Sequence, residues 1–197
     1  MIIVVSSSVV LVIIVVVSKY IYINQVTDRR DKKMSEIRLA VLGATGGLGQ
    51  RIVKQAAEST SHKFLVTAIV RDSAKASSLF PESVNLKVVP SVDEANKALL
   101  VDAFHDQDII LEVIDNTDRV EKVRLITQAV VDANVTSFIV CGGAGALKMS
   151  TEENSKRLYE VLGDSIGTWL KPVTLMHLEA QKVAFDSSVC ISIFFFL

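Results

Sequence analysis

The sequence has few of the residues that form covalent or metal-based sites. Among its 197 residues there are only two cysteines, Cys141 and Cys190, and neither belongs to a CxxC or Cys/His pattern. Both stand in apolar runs, so we expect reduced, buried thiols rather than a disulfide or a metal site. No group of His, Asp and Glu residues has the spacing of metal ligands, and no metal site is predicted.

The sequence also has no large excess of charge of either sign. The 21 basic and 22 acidic residues give a formal net charge of −1, and the basic residues form no stripe along the chain. Nucleic-acid-binding proteins need clustered Lys and Arg, so this pattern argues against a nucleic-acid partner.

The N-terminal segment carries no charge before Lys19. From Ile2 to Val17 it consists of Ile, Val and Leu apart from three serines, and a second apolar stretch ends at Ile23. This is about the 20 residues that a helix needs to cross roughly 30 Å of hydrocarbon. We therefore expect an apolar helix over residues 1–23 that anchors the chain in a membrane, followed by a charged linker over residues 24–35.

The charges around this segment predict its orientation. No Lys or Arg precedes it, whereas Lys19 lies near its end and four more basic residues follow it before Met34, so the positive-inside rule places the rest of the chain in the cytosol. A cleaved signal peptide is not favoured, because its basic start is missing. Two alternatives stay open: a buried strand-like run, or an extension upstream of a start at Met34, which would give a cytoplasmic protein.

Beyond the linker, short apolar runs alternate with helical patterns. The predicted strands cover residues 37–43, 64–70, 85–90, 108–115 and 137–143. The predicted helices cover residues 47–58, 73–80, 92–104 and 118–134. Continuously apolar strands are typical of parallel sheets, and their alternation with helices predicts right-handed βαβ units. The predicted fold of residues 36–197 is a three-layer, doubly wound parallel α/β domain of the Rossmann type.

The pattern changes after Leu147. Two more helices are expected, one ending at Gly163 and one over residues 171–185 with Pro172 in its first turn. The apolar run over residues 189–197 is either a sixth strand or a tail foreign to the domain. Because little follows this run, we expect a domain that is shortened at its C-terminus.

Glycine is scarce, with nine residues, yet four of them lie in the stretch GATGGLG at residues 43–49. The stretch fits G-x-x-G-x-x-G and lies between the first predicted strand and helix. In this position Gly43 allows a tight turn, Gly46 lets a pyrophosphate approach the backbone, and Gly49 lets the helix pack closely. The helix N-terminus would offer N–H groups and a positive dipole to the anion. A Walker A loop is excluded, because no Gly-Lys-Ser/Thr follows.

The glycine-rich turn between a strand and a helix predicts a dinucleotide-binding site. The end of the second strand indicates which dinucleotide is bound. Arg71 comes first there, then Asp72, with Lys75 one helical turn later. An acidic residue at this point suits the ribose hydroxyls of NAD, whereas an Arg accommodates the 2′-phosphate of NADP. We expect Arg71 to bind that phosphate with help from Lys75, which favours NADP(H) over NAD(H). The alternative is a solvated surface pair of Arg71 and Asp72.

With GATGGLG, IVRDSAK and IVCGGAGAL in sequence, the chain resembles the NmrA-like, NAD(P)-binding branch of the atypical short-chain dehydrogenase/reductases over about residues 36–190. The small NAD(P)H-binding proteins with a Gly-Gly-Ala-Gly-Ser/Ala-Leu motif are the most similar. The resemblance implies a pyrophosphate held by Thr45, Gly46, Gly47 and Leu48, and an adenosine phosphate bound by Arg71. It also implies a nicotinamide end lined by the residues that follow strands four and five: Asp115, Asn116, Thr117, Cys141, Gly142 and Gly143.

The chain departs from this branch at two strand ends. The family usually has small residues after strand four, where this sequence has Asp115 and Asn116. An acidic residue common after strand three is replaced by Pro90 and Ser91, which weakens an expected adenine contact.

The Tyr-x-x-x-Lys pair common in short-chain reductases is absent. The three tyrosines are Tyr20, Tyr22 and Tyr159, and Gly163 stands where the last would need its lysine. No catalytic residue is therefore assigned. His177 is a candidate acid or base and Lys148 a candidate cofactor ligand, whereas Cys141 has no basic neighbour in sequence to activate it.

These patterns predict an NADPH-dependent oxidoreductase of the atypical short-chain type, acting on a small carbonyl, quinone or flavin. Two alternatives stay open. One is a non-catalytic regulator that senses NADP(H) and signals through a protein partner. The other is a truncated, inactive member of the family.

Overall fold

The structure is a computed structural model that describes residues 3–5, 36–60, 62–114, 118–146, 149–150, 154–163, 170–185 and 190–196. Within these residues, seven strands form one sheet: β1 Ile3–Val5, β2 Ile37–Leu42, β3 Phe64–Val70, β4 Asn85–Val88, β5 Ile109–Glu112, β6 Ser137–Gly143 and β7 Cys190–Phe196. The helices are α1 Gly47–Ala57, α2 Ser73–Ser77, α3 Lys97–Phe104, α4 Arg119–Asp132, α5 Leu158–Leu162 and α6 Leu170–Phe185.

All neighbouring strands of the sheet run parallel, in the order β1-β7-β6-β5-β2-β3-β4. From β2 the chain builds outward to β3 and β4, then crosses back and builds to β5, β6 and β7 on the other side. The strand order therefore reverses between β2 and β5. In sheets of this kind, ligands bind at the carboxyl edge near such a reversal.

Two layers of helices cover the two faces of the sheet. The side chains of β2, which point alternately to one face and to the other, demonstrate this. Ile37, Leu39 and Val41 face a cluster that includes residues of α1 and α2. Ala40 and Leu42 face the opposite cluster, which includes residues of α3, α4 and α6. The predicted three-layer, doubly wound parallel architecture is confirmed.

Several boundaries differ from the prediction. The helix expected over residues 92–104 divides into a 3₁₀ turn, Glu94–Asn96, and α3, because Asp93 caps the turn with its carboxylate. The strand expected over residues 108–115 ends at Glu112. The helix expected to end at Gly163 is short, since α5 covers only Leu158–Leu162.

The C-terminal apolar run forms a strand. Residues 190–196 are β7, which pairs with β6 from Ser137↔Cys190 to Gly143↔Phe196. The sixth-strand alternative for this run is therefore the one found.

The N-terminus differs from the expected apolar helix where it is described. Ile3–Val5 forms β1, which pairs with β7, and β-branched residues such as these favour strands. The rest of the expected anchor and the linker over residues 24–35 lie outside the described residues. Among the helices of the described part, none combines the length and the apolar character needed to cross a membrane.

Candidate functional site

A cleft of about 730 Å³ opens at the carboxyl edge of the sheet. Residues that end or follow β2, β3, β4, β5 and β6 line it, together with Val173 and His177 of α6. This is the edge at which the strand order reverses, so the cleft lies where a doubly wound sheet binds ligands.

The glycine-rich turn after β2 forms one wall of the cleft. Gly43 has a φ of +88°, and a Cβ there would lie 2.9 Å from the carbonyl oxygen of Val113. Both the dihedral angle and the space require glycine at this position. The Gly46 N–H donates to the Gly43 carbonyl at 3.0 Å, and the side-chain amide of Gln50 donates to the Thr45 carbonyl at 2.8 Å.

Gly49 allows α1 to begin directly against this turn. A Cβ at Gly49 would lie 2.8 Å from the Ala44 Cα and closer still to the Gly43 carbonyl oxygen. Backbone atoms cannot move aside as a flexible side chain can. The close packing predicted for Gly49 is found, and its partner is the turn itself.

The N-terminus of α1 faces the cleft without a side-chain cap. Gly46 is the N-cap and makes no side-chain hydrogen bond, and the first turn holds no acidic residue. The first N–H groups of a helix have no partner within it, and they carry the positive end of the helix dipole. Thr45, Gly46, Gly47 and Leu48 all line the cleft, so these donors stand at its wall.

The lining of the cleft is basic. Arg71, Arg119 and Lys122 belong to it, whereas no Asp or Glu does among the described residues. Asp72 caps α2 instead, since its carboxylate accepts the N–H of Ala74 at 2.8 Å. The alternative of an Arg71–Asp72 pair is not found: within the described part of the chain, the ion pairs leave Arg71 out.

The lysine found in the lining is Lys122 and not the expected Lys75. Lys75 is absent from the residues that line the cleft, while Lys122, from the first turn of α4, is present. Its Nζ lies 3.2 Å from the Asp118 carboxylate. Lys122 was not predicted from the sequence, because its approach to the cleft depends on how α4 packs.

The loop after β4 is held by a small polar network. Pro90, Ser91 and Val92 line the cleft. The Ser91 hydroxyl donates to the Asp93 carboxylate, and the Asn96 side chain donates to Ser91 Oγ at 3.0 Å and to Asp93 Oδ1 at 2.8 Å. The Ser91 hydrogen bond, with a further contribution from Asn96, lowers the pKa of Asp93 below its ordinary value.

Glu112 and Arg119 form a buried ion pair beside the cleft, with side chains only 1% and 2% exposed. Arg119 Nη2 lies 2.8 Å from Glu112 Oε2, and Nη1 lies 3.1 Å from Oε1. The guanidinium also donates to the carbonyl oxygens of Ile114 and Cys141. Burial raises the pKa of Glu112 above its ordinary value, while the Arg119 charge opposes this shift. The pair was not predicted from the sequence, although a Glu inside the apolar run DIILEVID was a signal for it.

The second glycine-rich turn packs against α6. A Cβ at Gly143 would lie 3.0 Å from the His177 ring, and one at Gly145 would lie 2.9 Å from Thr174 Cγ2. These contacts bring the half-buried His177 to the cleft, where Cys141, Gly142 and Gly143 also lie. Among the described residues, no group of three His, Cys, Asp or Glu side chains is placed to hold a metal ion.

Four predicted residues lie outside the described part of the chain: Asp115, Asn116, Thr117 and Lys148. Their predicted roles stay predictions.

Comparisons with known proteins agree with this geometry. No curated protein matches the chain, but the family model of the NAD(P)H-binding proteins matches residues 43–188. The chain belongs to this NAD(P)H-binding family. The predicted NAD(P)-binding relationship is confirmed, and with it a nicotinamide dinucleotide as the cofactor.

Solved structures share the fold. A protein described as exported, from Burkholderia pseudomallei, is 24% identical with a TM-score of 0.63, over 81% of this chain and 71% of that one. An NADPH-dependent quinone oxidoreductase from Escherichia coli is 20% identical with a TM-score of 0.55, over 79% and 46%. The Citrobacter sp. triphenylmethane reductase complexed with NADP(H) is 21% identical with a TM-score of 0.58, over 80% and 48%. The chain thus spans about half the length of these two reductases.

The glycine turn gives a matched pair of variants. Gly49→Ala should lower the free energy of unfolding by about 1–3 kcal/mol, because its Cβ would overlap backbone atoms. Gly47→Ala should leave the free energy of unfolding within about 1 kcal/mol of wild type, since a Cβ there meets nothing within 4 Å. Urea unfolding of both variants measures the difference, and equal losses would contradict this account of the turn.

Proposed function

We propose that this protein is an NADPH-dependent oxidoreductase of the atypical short-chain type that acts on a small carbonyl, quinone or flavin. The observation that carries the proposal is the cleft, where an uncapped helix N-terminus meets the basic side chains of Arg71 and Lys122 and where no Asp or Glu belongs to the lining among the described residues. Such a lining suits a ligand with several phosphates.

The cofactor extends across the cleft in this proposal. The turn formed by Gly43, Thr45, Gly46, Gly47, Leu48 and Gly49 would hold its pyrophosphate. Arg71 binds the 2′-phosphate of the adenosine half at the end of β3. The nicotinamide half would be held by Cys141, Gly142 and Gly143 at the end of β6 and by Asp115, Asn116 and Thr117, which follow β5 in the sequence.

The preference for NADP(H) rests on the two residues that follow β3. Arg71 lines the cleft and is exposed, so its guanidinium can form two parallel hydrogen bonds to a phosphate. The Asp72 carboxylate accepts backbone N–H groups of α2, which leaves it poorly placed for ribose hydroxyls. An NAD site would need an acidic group where this chain presents Arg71.

The chain contributes orientation and a proton in this proposal. When bound, the cofactor supplies the hydride. His177 reaches the cleft beside Gly143, and imidazole is the side chain that most often transfers protons at neutral pH. We propose His177 as the proton donor to the reduced substrate, in place of the missing Tyr-x-x-x-Lys pair.

The substrate class rests on the related structures. Proteins of the same fold include an NADPH-dependent quinone oxidoreductase and a triphenylmethane reductase, whose names both refer to ring-containing molecules. A cleft that combines apolar residues such as Ile69, Val89 and Val173 with basic groups can hold such a molecule beside the cofactor.

A non-catalytic regulator that senses NADP(H) is the second candidate. The observation that favours it is the absence of a Tyr-x-x-x-Lys pair from the sequence. A regulator would bind NADPH tightly and turn over no quinone, aldehyde or flavin. An inactive, truncated family member would bind no dinucleotide. Titration with NADPH, followed by a substrate panel, separates the three.

Arg71→Ala should weaken NADPH binding by about 10- to 100-fold, because a charge-assisted contact to the 2′-phosphate is lost. NADH binding should stay near the wild-type value. Isothermal titration calorimetry measures both affinities. Lys75→Ala is the matched control, since Lys75 carries the same charge one helical turn away and does not line the cleft. Equal losses for NADPH and NADH would contradict the assignment of Arg71.

His177→Asn should lower kcat for the best substrate of the panel by about 100-fold or more, as expected for loss of a proton donor. The Kd for NADPH should not change. His105→Asn is the control, because the His105 side chain is 69% exposed and is not part of the cleft lining. An unchanged kcat in His177→Asn would rule out this role.

Membrane anchoring through residues 1–23, with the rest of the chain in the cytosol, stays a prediction from the sequence. Carbonate extraction of the full-length protein tests it. An anchored chain should remain in the membrane pellet, whereas recovery of all the protein in the supernatant would contradict the anchor.

A further inference from the structure

Beyond their last paired residues, β5 and β6 are joined by the guanidinium of Arg119. The ladder between the two strands ends at Glu112↔Val140, whereas β6 continues to Gly143 in its pairing with β7. Arg119 donates to the Ile114 carbonyl on the β5 side and to the Cys141 carbonyl on the β6 side. The side chain thus replaces the main-chain hydrogen bonds that the two strands no longer exchange.

Glu112 fixes the guanidinium in this position. Its carboxylate forms a two-point pair with the Nη atoms at 3.1 and 2.8 Å. Its Oε1 also accepts the N–H of Ile114 at 2.7 Å. The Nη atoms therefore donate four hydrogen bonds, two to the carboxylate and two to the carbonyls. The planar guanidinium of an Arg can make all four in these directions, whereas the ammonium group of a Lys cannot.

Stability alone is a weak reason for such a pair. Both side chains are almost fully buried, and desolvation of two charges can exceed their mutual attraction. Replacing a buried ion pair with apolar residues of similar volume is often neutral or stabilising. What apolar residues cannot reproduce is the directional hold on the carbonyls of Ile114 and Cys141.

We propose that Glu112 and Arg119 are positioning residues for the nicotinamide half of the site, an inference that rests on the proposed function. By holding the carboxyl ends of β5 and β6 at a fixed separation, the pair sets where the backbone of Cys141, Gly142 and Gly143 lies in the cleft. The adenosine half depends on the ends of β2, β3 and β4 and does not need the pair. The two halves of the cofactor should therefore respond differently when the pair is removed.

The test is a double variant, Glu112→Leu with Arg119→Met, which removes both charges and keeps similar volumes. Changing one residue alone would leave an unpaired buried charge and endanger folding. Two ligands are titrated: NADPH, and adenosine 2′,5′-bisphosphate as a probe of the adenosine half. The nicotinamide fluorescence of bound NADPH reports the environment of the other half. Ile126→Val is the matched control, because Ile126 is fully buried on the same helix, α4.

The expected result is a selective loss. NADPH affinity should fall about tenfold, the change that corresponds to losing one or two well-formed hydrogen bonds. The affinity for adenosine 2′,5′-bisphosphate should stay at the wild-type value, and the fluorescence of bound NADPH should move toward that of free NADPH. The melting temperature should fall by no more than it does in Ile126→Val, because the loss of donors to the Ile114 and Cys141 carbonyls is offset by the removal of two buried charges. Ile126→Val should show wild-type binding of both ligands.

Other outcomes distinguish failure of the positioning role from failure of the proposed function. Unchanged NADPH affinity and fluorescence in the folded double variant would overturn the positioning role, as would equal losses for both ligands. Wild-type protein that binds neither ligand would overturn the proposed function itself. If the double variant does not fold, Arg119→Lys replaces it. This variant keeps the positive charge but lacks the planar guanidinium, and it should show the same selective loss of NADPH affinity. Equal effects on both ligands would again overturn the positioning role.

Discussion

The close contact between the start of α1 and the turn that leaves β2 is the constraint on which the rest of the site depends. Gly49 lies against the backbone of Gly43 and Ala44 with no room for a side chain. This contact aims the N-terminus of α1 at the carboxyl edge of the sheet, where β5 and β6 also end. Without it, the helix dipole and its N–H groups would stand away from the cleft that the strand order creates.

The basic character of the cleft arises because nearby acidic side chains are engaged elsewhere. Asp72 accepts backbone N–H groups of α2, Asp93 is held by Ser91 and Asn96, and Glu112 is paired with Arg119. None of these three carboxylates belongs to the lining. Each carboxylate lies close to the cleft in sequence or in space, but each already has a hydrogen-bonding or ionic partner. Arg71, which the ion pairs of the described residues leave out, therefore sets much of the potential that an anionic ligand meets, whereas Lys122 shares its charge with the exposed Asp118.

The opposite end of the cleft is built by packing rather than charge. Gly143 and Gly145 leave room for α6, so that Thr174 and His177 lie on the turn after β6. The glycine-rich signature of this turn thus has a steric reason, as the first turn does. It also explains how a histidine more than 30 residues further along the chain comes to the same cleft as Cys141.

Much of the fold and part of the site were predictable from the sequence, because their causes are local. Apolar runs separated by helical periodicity predicted five of the strands and the parallel sheet that they form. The spacing of Gly43, Gly46 and Gly49 predicted a turn whose steric demands involve only a few neighbouring residues. Arg71 was predicted in the cleft because it directly follows a strand, and strand ends share one edge.

The tertiary structure alone decided the rest. It placed Lys122 rather than Lys75 in the cleft, and it joined Arg119 to Glu112 and to the carbonyl of Cys141, 22 residues away. Periodicity and turn chemistry cannot indicate such contacts, because they depend on how α4 packs against the ends of β5 and β6. Which charges face a ligand and which neutralise each other is a property of the assembled sheet edge, where residues distant in sequence compete for the same partners.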